Sequence, residues 1–184
     1  MKGLIFSEPM VRAWLEGRKT VTRRLMNPQP VFDDALHGIE PCHYSRTGWG
    51  KTIKNGGCSC IPFPCPYRPG ETVYIKETWQ KFDHPYGDVP PALYKADDEA
   101  GHISGGWKSP RFMPEWASRS KALIKSVRPE RIQEITEEEA VREGVLSSEY
   151  EKSYRFAFSK LWQSLHPGSW ERNDWAWRIE LEKL

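Results

Sequence analysis

The run Gly17-Arg18-Lys19-Thr20-Val21-Thr22-Arg23-Arg24 gathers a lysine, two hydroxyls and three arginines into one short segment. A threonine hydroxyl is a weak nucleophile until a base takes its proton, and a lysine is that base only when neutral. Crowding by Arg18, Arg23 and Arg24, together with partial burial, disfavours the charged form of Lys19. The set therefore fits nucleophilic chemistry on an anionic or polar substrate, with Thr22 as the hydroxyl that Lys19 serves. In a regular strand, residues three apart point to opposite faces. Lys19 and Thr22 then meet only across a turn or bulge, and Thr20 stands as a competing nucleophile. The same cations would also suit a plain helix end, where they complement the macrodipole.

A second chemical signal is a carboxylate in an apolar pattern. Val73-Tyr74-Ile75-Lys76-Glu77-Thr78-Trp79 alternates as a strand, placing Glu77 on the face of Val73, Ile75 and Trp79. Burying that carboxylate is costly unless it is paired, so Glu77 is either bound to an arginine or a member of the site.

The elements that position these residues follow from local signals. Leu4-Ile5-Phe6 reads as a short buried strand. Ser7 as N-cap, Pro9 in the first turn and Gly17 past the end predict a helix over residues 8 to 16, with the Lys19 segment at its exit. Residues 26 to 70 carry Pro28, Pro30, Pro41, Pro62, Pro64 and Pro69 with several glycines and no periodicity, which predicts an irregular insertion acting as a lid or flap. Residues 83 to 120 read as a second irregular region, ahead of a strand from Ala122 to Val127. Thr136 and Glu139 form a capping box and Gly144 a stop, bounding a helix between them. A longer helix from about Ser148 to Leu165 shows an apolar stripe that includes Tyr154, Ala157, Phe158, Leu161 and Trp162. Strict alternation sets Trp175, Trp177, Ile179 and Leu181 on one face of a closing strand.

Composition bounds the rest. The 184 residues suit one domain, 1 to 184, and the net charge of +2 is too mild for a strong duplex-DNA binder. Nine tryptophans and fifteen prolines indicate a compact, loop-rich β protein. No apolar run reaches the length of a membrane helix and Met1-Lys2-Gly3-Leu4 begins no signal peptide, so a cytoplasmic protein without membrane association is expected. Cys42, Cys58, Cys60 and Cys65 fall in one glycine- and proline-rich stretch, with His43 as a further donor. They raise a structural zinc site, against which Cys58-Ser59-Cys60 is tight and two Cys-x-x-Cys knuckles are missing, so free or packed thiols are favoured. No internal repeat, Walker loop or dinucleotide fingerprint occurs.

Scattered strands, few helices and a strand at each end predict a mixed α/β (α+β) domain, a small barrel closed by its terminal strands, with short flanking helices and long irregular insertions. The order of Gly17-Arg18-Lys19-Thr20-x-Thr22-x-Arg24, Thr136-Glu137-x-x-Ala140-x-x-Glu143 and a terminal aromatic strand resembles the ASCH-domain family of the PUA-like superfamily. Arg23-Arg24, Glu77-Thr78-Trp79, Met113-Pro114-x-Trp116-Ala117-Ser118 and the Trp-rich end are similar to larger ASCH proteins of phages and prophages. Residues 26 to 65 are the weakest match.

This resemblance implies a PUA-like β-barrel with a cleft for nucleic acid or a single nucleobase. It is similar to bacterial ASCH enzymes that hydrolyse N4-acetylcytidine with a Lys-Thr-Glu set, which carries over to Lys19 as base, Thr22 as nucleophile and Glu143 as third member. Thr20, Arg23, Arg24, Glu77, Trp79 and Trp116 are then expected around the substrate, with Trp79, Trp107 and Trp116 as stacking candidates whose alternative place is the core. The activity implied is removal of the acyl group from N4-acylated cytosine nucleosides or bases, with no cofactor required and any zinc structural. The rival readings are a non-catalytic module binding single-stranded RNA or a modified base, and an RNA-cleaving enzyme. Nothing in the composition sets an oligomeric state.

Overall fold

The computed structural model describes residues 1–30, 36–41, 49–53, 58–62, 65–82, 92–98, 100–103, 105–146 and 153–184, with the stretch from 36 to 62 described by its backbone alone. A five-stranded mixed sheet, ordered β1-β6-β9-β10-β2, forms its centre. Its strands are β1 (Lys2–Ile5), β2 (Val21–Leu25), β6 (Thr72–Lys76), β9 (Lys121–Arg131) and β10 (Trp175–Lys183). β1 runs parallel to β6, and the other neighbours are antiparallel. The described architecture is thus α+β with a sheet core. The two terminal strands do not pair: β1 lies on one edge, while β10 lies inside between β9 and β2. The edges still approach each other, because Arg24 of β2 reaches the Ile5 carbonyl at the end of β1 at 2.5 Å.

Each face of the sheet is covered by helices. α1 (Glu8–Leu15) begins after Ser7, carries Pro9 in its first turn and is followed by Gly17 at φ 79°, as its sequence signals require. Val11 and Trp14 of α1 pack with Leu4, Phe6, Val73, Ile75, Ile124, Trp177 and Ile179. The other face carries Ala176 under α2 (Glu137–Arg142) and α3 (Tyr154–Leu165), with Ile132, Ile135, Ala140, Phe158 and Trp162 in the cluster. Strand alternation therefore splits β10, with Trp177 and Ile179 on one side and Ala176 and Arg178 on the other. The helix expected from Ser148 is described from Tyr154, with Ser153 as its N-cap; Tyr154 and Leu165 of its stripe are exposed.

Two stretches expected to be irregular carry more structure. Within residues 26 to 70, β3 (Leu36–Pro41), β4 (Trp49–Ile53) and β5 (Cys58–Pro62) pair as an antiparallel sheet. Between 83 and 120, β8 (Ala92–Tyr94) forms and pairs with β7 (Trp79–Lys81), which lies just before that stretch. Such short strands owe their order to cross-strand pairing, so a periodicity within one strand need not announce them. No helix among the described residues is long and apolar enough to cross a membrane.

Candidate active site

The helix stop at Gly144 brings the chemistry together. Its φ of 85° lets the chain turn tightly after α2, and a Cβ there would meet Ala13 Cβ at 2.7 Å and Lys19 Cβ at 3.0 Å. Only glycine permits that approach. The end of α2 then docks on the exit of α1 through Thr20 N–H to Arg142 C=O at 2.8 Å, while Lys19 N–H bonds Ala13 C=O at 3.0 Å. Glu143, which follows α2, is thereby set beside Lys19. Lys19 Nζ donates to Glu143 Oε2 at 2.8 Å, to the Glu143 carbonyl at 2.7 Å and to the Val21 carbonyl at 2.9 Å. The pair is buried, with side chains 2% and 5% exposed.

Burial pushes the Lys19 ammonium below the ordinary lysine range; Glu143 opposes the shift, and Arg24 and Arg23 add to it. Glu143 also binds a second cation, since Arg23 Nη1 meets Oε1 at 3.1 Å. Arg23 is fully enclosed and extends Nε to Glu130 at 2.5 Å and Nη2 to Glu139. Burial works against its charge, and Glu143, Glu130 and Glu139 more than offset that. Thr136 caps α2 by accepting from Glu139 N–H at 3.2 Å, but the Glu139 carboxylate, instead of completing the capping box, serves Arg23, Arg178 and Arg128.

Lys19, Thr22 and Glu143 line one cavity of about 470 Å³, between the start of α1, the edge strand β2 and α3. That size lies in the range of small-molecule sites. Its lining includes the rings of Phe6, Phe158, Trp162 and His166, together with Ser7, Thr78 and Pro110. Thr22 is 4% exposed and its hydroxyl has no hydrogen-bond partner among the described residues. Lys19 and Thr22 are not hydrogen-bonded to each other, so proton transfer between them requires Nζ to release one of its three acceptors or a water to bridge the gap. They share the cavity because Lys19 precedes β2, outside its alternation.

The other expected site residues lie elsewhere, apart from Arg23 and Arg24, which do border the cavity. Thr20 faces away from it, accepting from Arg142 Nε at 3.1 Å. The strand expected over 73 to 79 ends at Lys76, so Glu77 lies in the connection to β7; it is buried and held by Arg119 Nε and Nη2, each at 2.9 Å, the pairing that burial of a carboxylate demands. Trp79 is 4% exposed among Ala92, Met113 and Ala117, and stands edge-on to the half-exposed Trp116 at 5.6 Å, so neither ring lines the cavity. Trp107 lies under Lys95 Nζ at 5.3 Å. The aromatic wall comes instead from the α3 stripe. Its positions 158 and 162 read in sequence only as core, because a stripe does not tell which end borders a void.

For the zinc expectation, Cys42 and His43 lie outside the described residues, and the side chains of Cys58 and Cys60 do as well. Cys65 is described: its Sγ donates to the Tyr67 carbonyl at 3.1 Å, and burial pushes its thiol up to about 11. Among the described residues no cluster of three metal-ligating side chains occurs. No family model, curated protein or solved structure matches this chain.

Proposed function

We propose that the chain is an amidohydrolase that removes the acyl group from N4-acylated cytosine nucleosides or bases, on the open arc of a PUA-like barrel of the ASCH family. The observation that carries the reading is the convergence of Lys19, Thr22 and Glu143, from segments up to 124 residues apart, on one aromatic-walled cavity. Lys19, made less basic by burial, takes the Thr22 proton, and Oγ attacks the acyl carbon. The C–N bond breaks, the cytosine amine leaves with a proton supplied from Lys19, and water hydrolyses the Thr22 ester to return the hydroxyl. Glu143, bound to both Lys19 and Arg23, orients the amine and stabilises its charged form after proton uptake. The ring of the leaving cytosine spreads developing negative charge, and Phe158 and Trp162 in the cavity lining are aromatic neighbours for that ring.

The alternative of a purely RNA-binding module draws less support from the arginines. Arg23 is consumed by carboxylates, and Arg18 by Glu16 and the Gly144 carbonyl. The test is incubation with N4-acetylcytidine and bulkier N4-acylcytidines, following the ultraviolet change as cytidine forms. Turnover is expected for the parent protein and none for Lys19→Ala. A protein inert on all of them that binds single-stranded RNA with a steep salt dependence, or cleaves it, would replace this reading.

A further inference from the structure

We infer that the cavity carries an anion subsite built on Arg24, which receives a negatively charged oxygen group of the substrate; the identity of the base in that substrate rests on the amidohydrolase reading, the anion does not. Consecutive arginines on β2 have opposite fates. Arg23 meets three carboxylates, whereas Arg24 forms no ion pair among the described residues and feels Glu143 only from a distance, as a charge already shared by Lys19 and Arg23. The Arg24 guanidinium donates from Nη2 to the Ile5 carbonyl, lies 6.0 Å from the Phe6 ring centre, and keeps a buried Nε with no hydrogen-bond partner.

A partly buried cation without a counter-ion is costly, and proteins retain one where something supplies the charge. Among the described residues the cavity offers Arg24 no ion-pair partner. Of its two carboxylates, Glu143 is occupied by Lys19 and Arg23, and Glu8 makes no ion pair with Arg24. The neighbourhood supports an anion. His166 lines the same cavity, its ring tilted against Trp162 with centroids 4.5 Å apart, and Ser7 leaves its hydroxyl unused by α1. Burial, and then Arg24 itself, lower the proton affinity of His166, so charge there is suppressed until an anion arrives. An uncharged nucleoside leaves Arg24 unpaired. A nucleoside 5′-phosphate supplies the missing charge, as does the free carboxylate of a dicarboxylic acyl group on N4.

Titration calorimetry with cytidine and cytidine 5′-monophosphate tests this without any hydrolysis, since neither carries an amide to cleave. The phosphate is expected to tighten binding by about tenfold or more, as charge-assisted hydrogen bonds to a partly buried cation do. The ratio of the two affinities should fall to near one in Arg24→Gln and keep part of its value in Arg24→Lys, with thermal melts reporting the fold of each. A third ligand, cytidine with a succinyl group on N4, is titrated into Thr22→Val. A gain there that depends on Arg24, without a gain for the monophosphate, assigns the anion to the acyl arm. Charged ligands that bind no tighter than uncharged ones, or a ratio unmoved by both Arg24 variants, overturn the subsite. Tight monophosphate binding through Arg24 with no turnover of any N4-acylcytidine would keep the subsite and remove the amidohydrolase.

Discussion

Replacing Glu143 by glutamine removes one negative charge from between two cations and changes little else. Its amide can accept from one of Lys19 and Arg23 but must turn its NH2 toward the other, where oxygens at 2.8 and 3.1 Å now accept. Breaking a buried pair from one side costs about 3–5 kcal/mol. Arg23 keeps Glu130 and Glu139, so most of the loss falls on Lys19 and the expected destabilisation lies near the lower figure. Lys19 can limit that loss by giving up its proton, at about 1.4 kcal/mol for each unit that its pKa falls. The sign follows. Glu143 raises the Lys19 pKa, so its removal lowers it further. Across the window where the unfolded lysine is protonated and the folded one is not, stability rises with pH, and the deficit of the variant should shrink as pH rises toward the ordinary lysine range. Urea unfolding at a series of pH values measures this, and the pH dependence of turnover supplies a second readout. The limb that reports neutral Lys19 should move to lower pH while the maximal rate falls. A loss of stability below about 1 kcal/mol, no more than an exposed pair would give, or a limb that moves to higher pH, would refute the coupling of Lys19 to Glu143.

The two hydroxyls of the Lys19 segment should separate cleanly. Thr22→Val keeps the β-branched shape of a residue without a side-chain hydrogen bond, so stability should change little while turnover falls by about a thousandfold or more. Thr20→Val loses the bond from Arg142 and should cost about 0.5–1.5 kcal/mol by denaturant titration while retaining activity. Among the tryptophans, Trp162→Ala should destabilise by about 3–5 kcal/mol and weaken substrate binding, whereas Trp116→Ala, at a half-exposed ring outside the cavity, should leave KM close to the parent value. Glu180, which accepts from Arg142 at 2.6 Å, titrates at about 2 chiefly because of that bond. Its contribution is present above the ordinary carboxylate pKa and is lost as pH falls toward 2, so the stability of Glu180→Gln, from urea unfolding at a series of pH values, should fall less over that window than the parent's.

Local signals were legible in the chain itself. Ser7, Pro9 and Gly17 bound α1, Thr136 and Gly144 bound α2, and the alternation of β10 names its core face, because caps, breakers and strand period act within a few residues. The grouping of Lys19, Thr22, Arg23 and Arg24 around one cavity was legible too, since they lie in one short segment. What lay beyond sequence was every choice made across distance. Whether Lys19 meets Glu143 or Glu77 depends on the close approach of Gly144 to Ala13 and Lys19, contacts between residues more than a hundred positions apart. Arg23 and Arg24 are chemically identical in the sequence. Alternation along β2 turns Arg23 toward the acidic side of β9 and α2 and Arg24 toward Phe6, so packing alone made one a buried strut and left the other without an ion pair among the described residues.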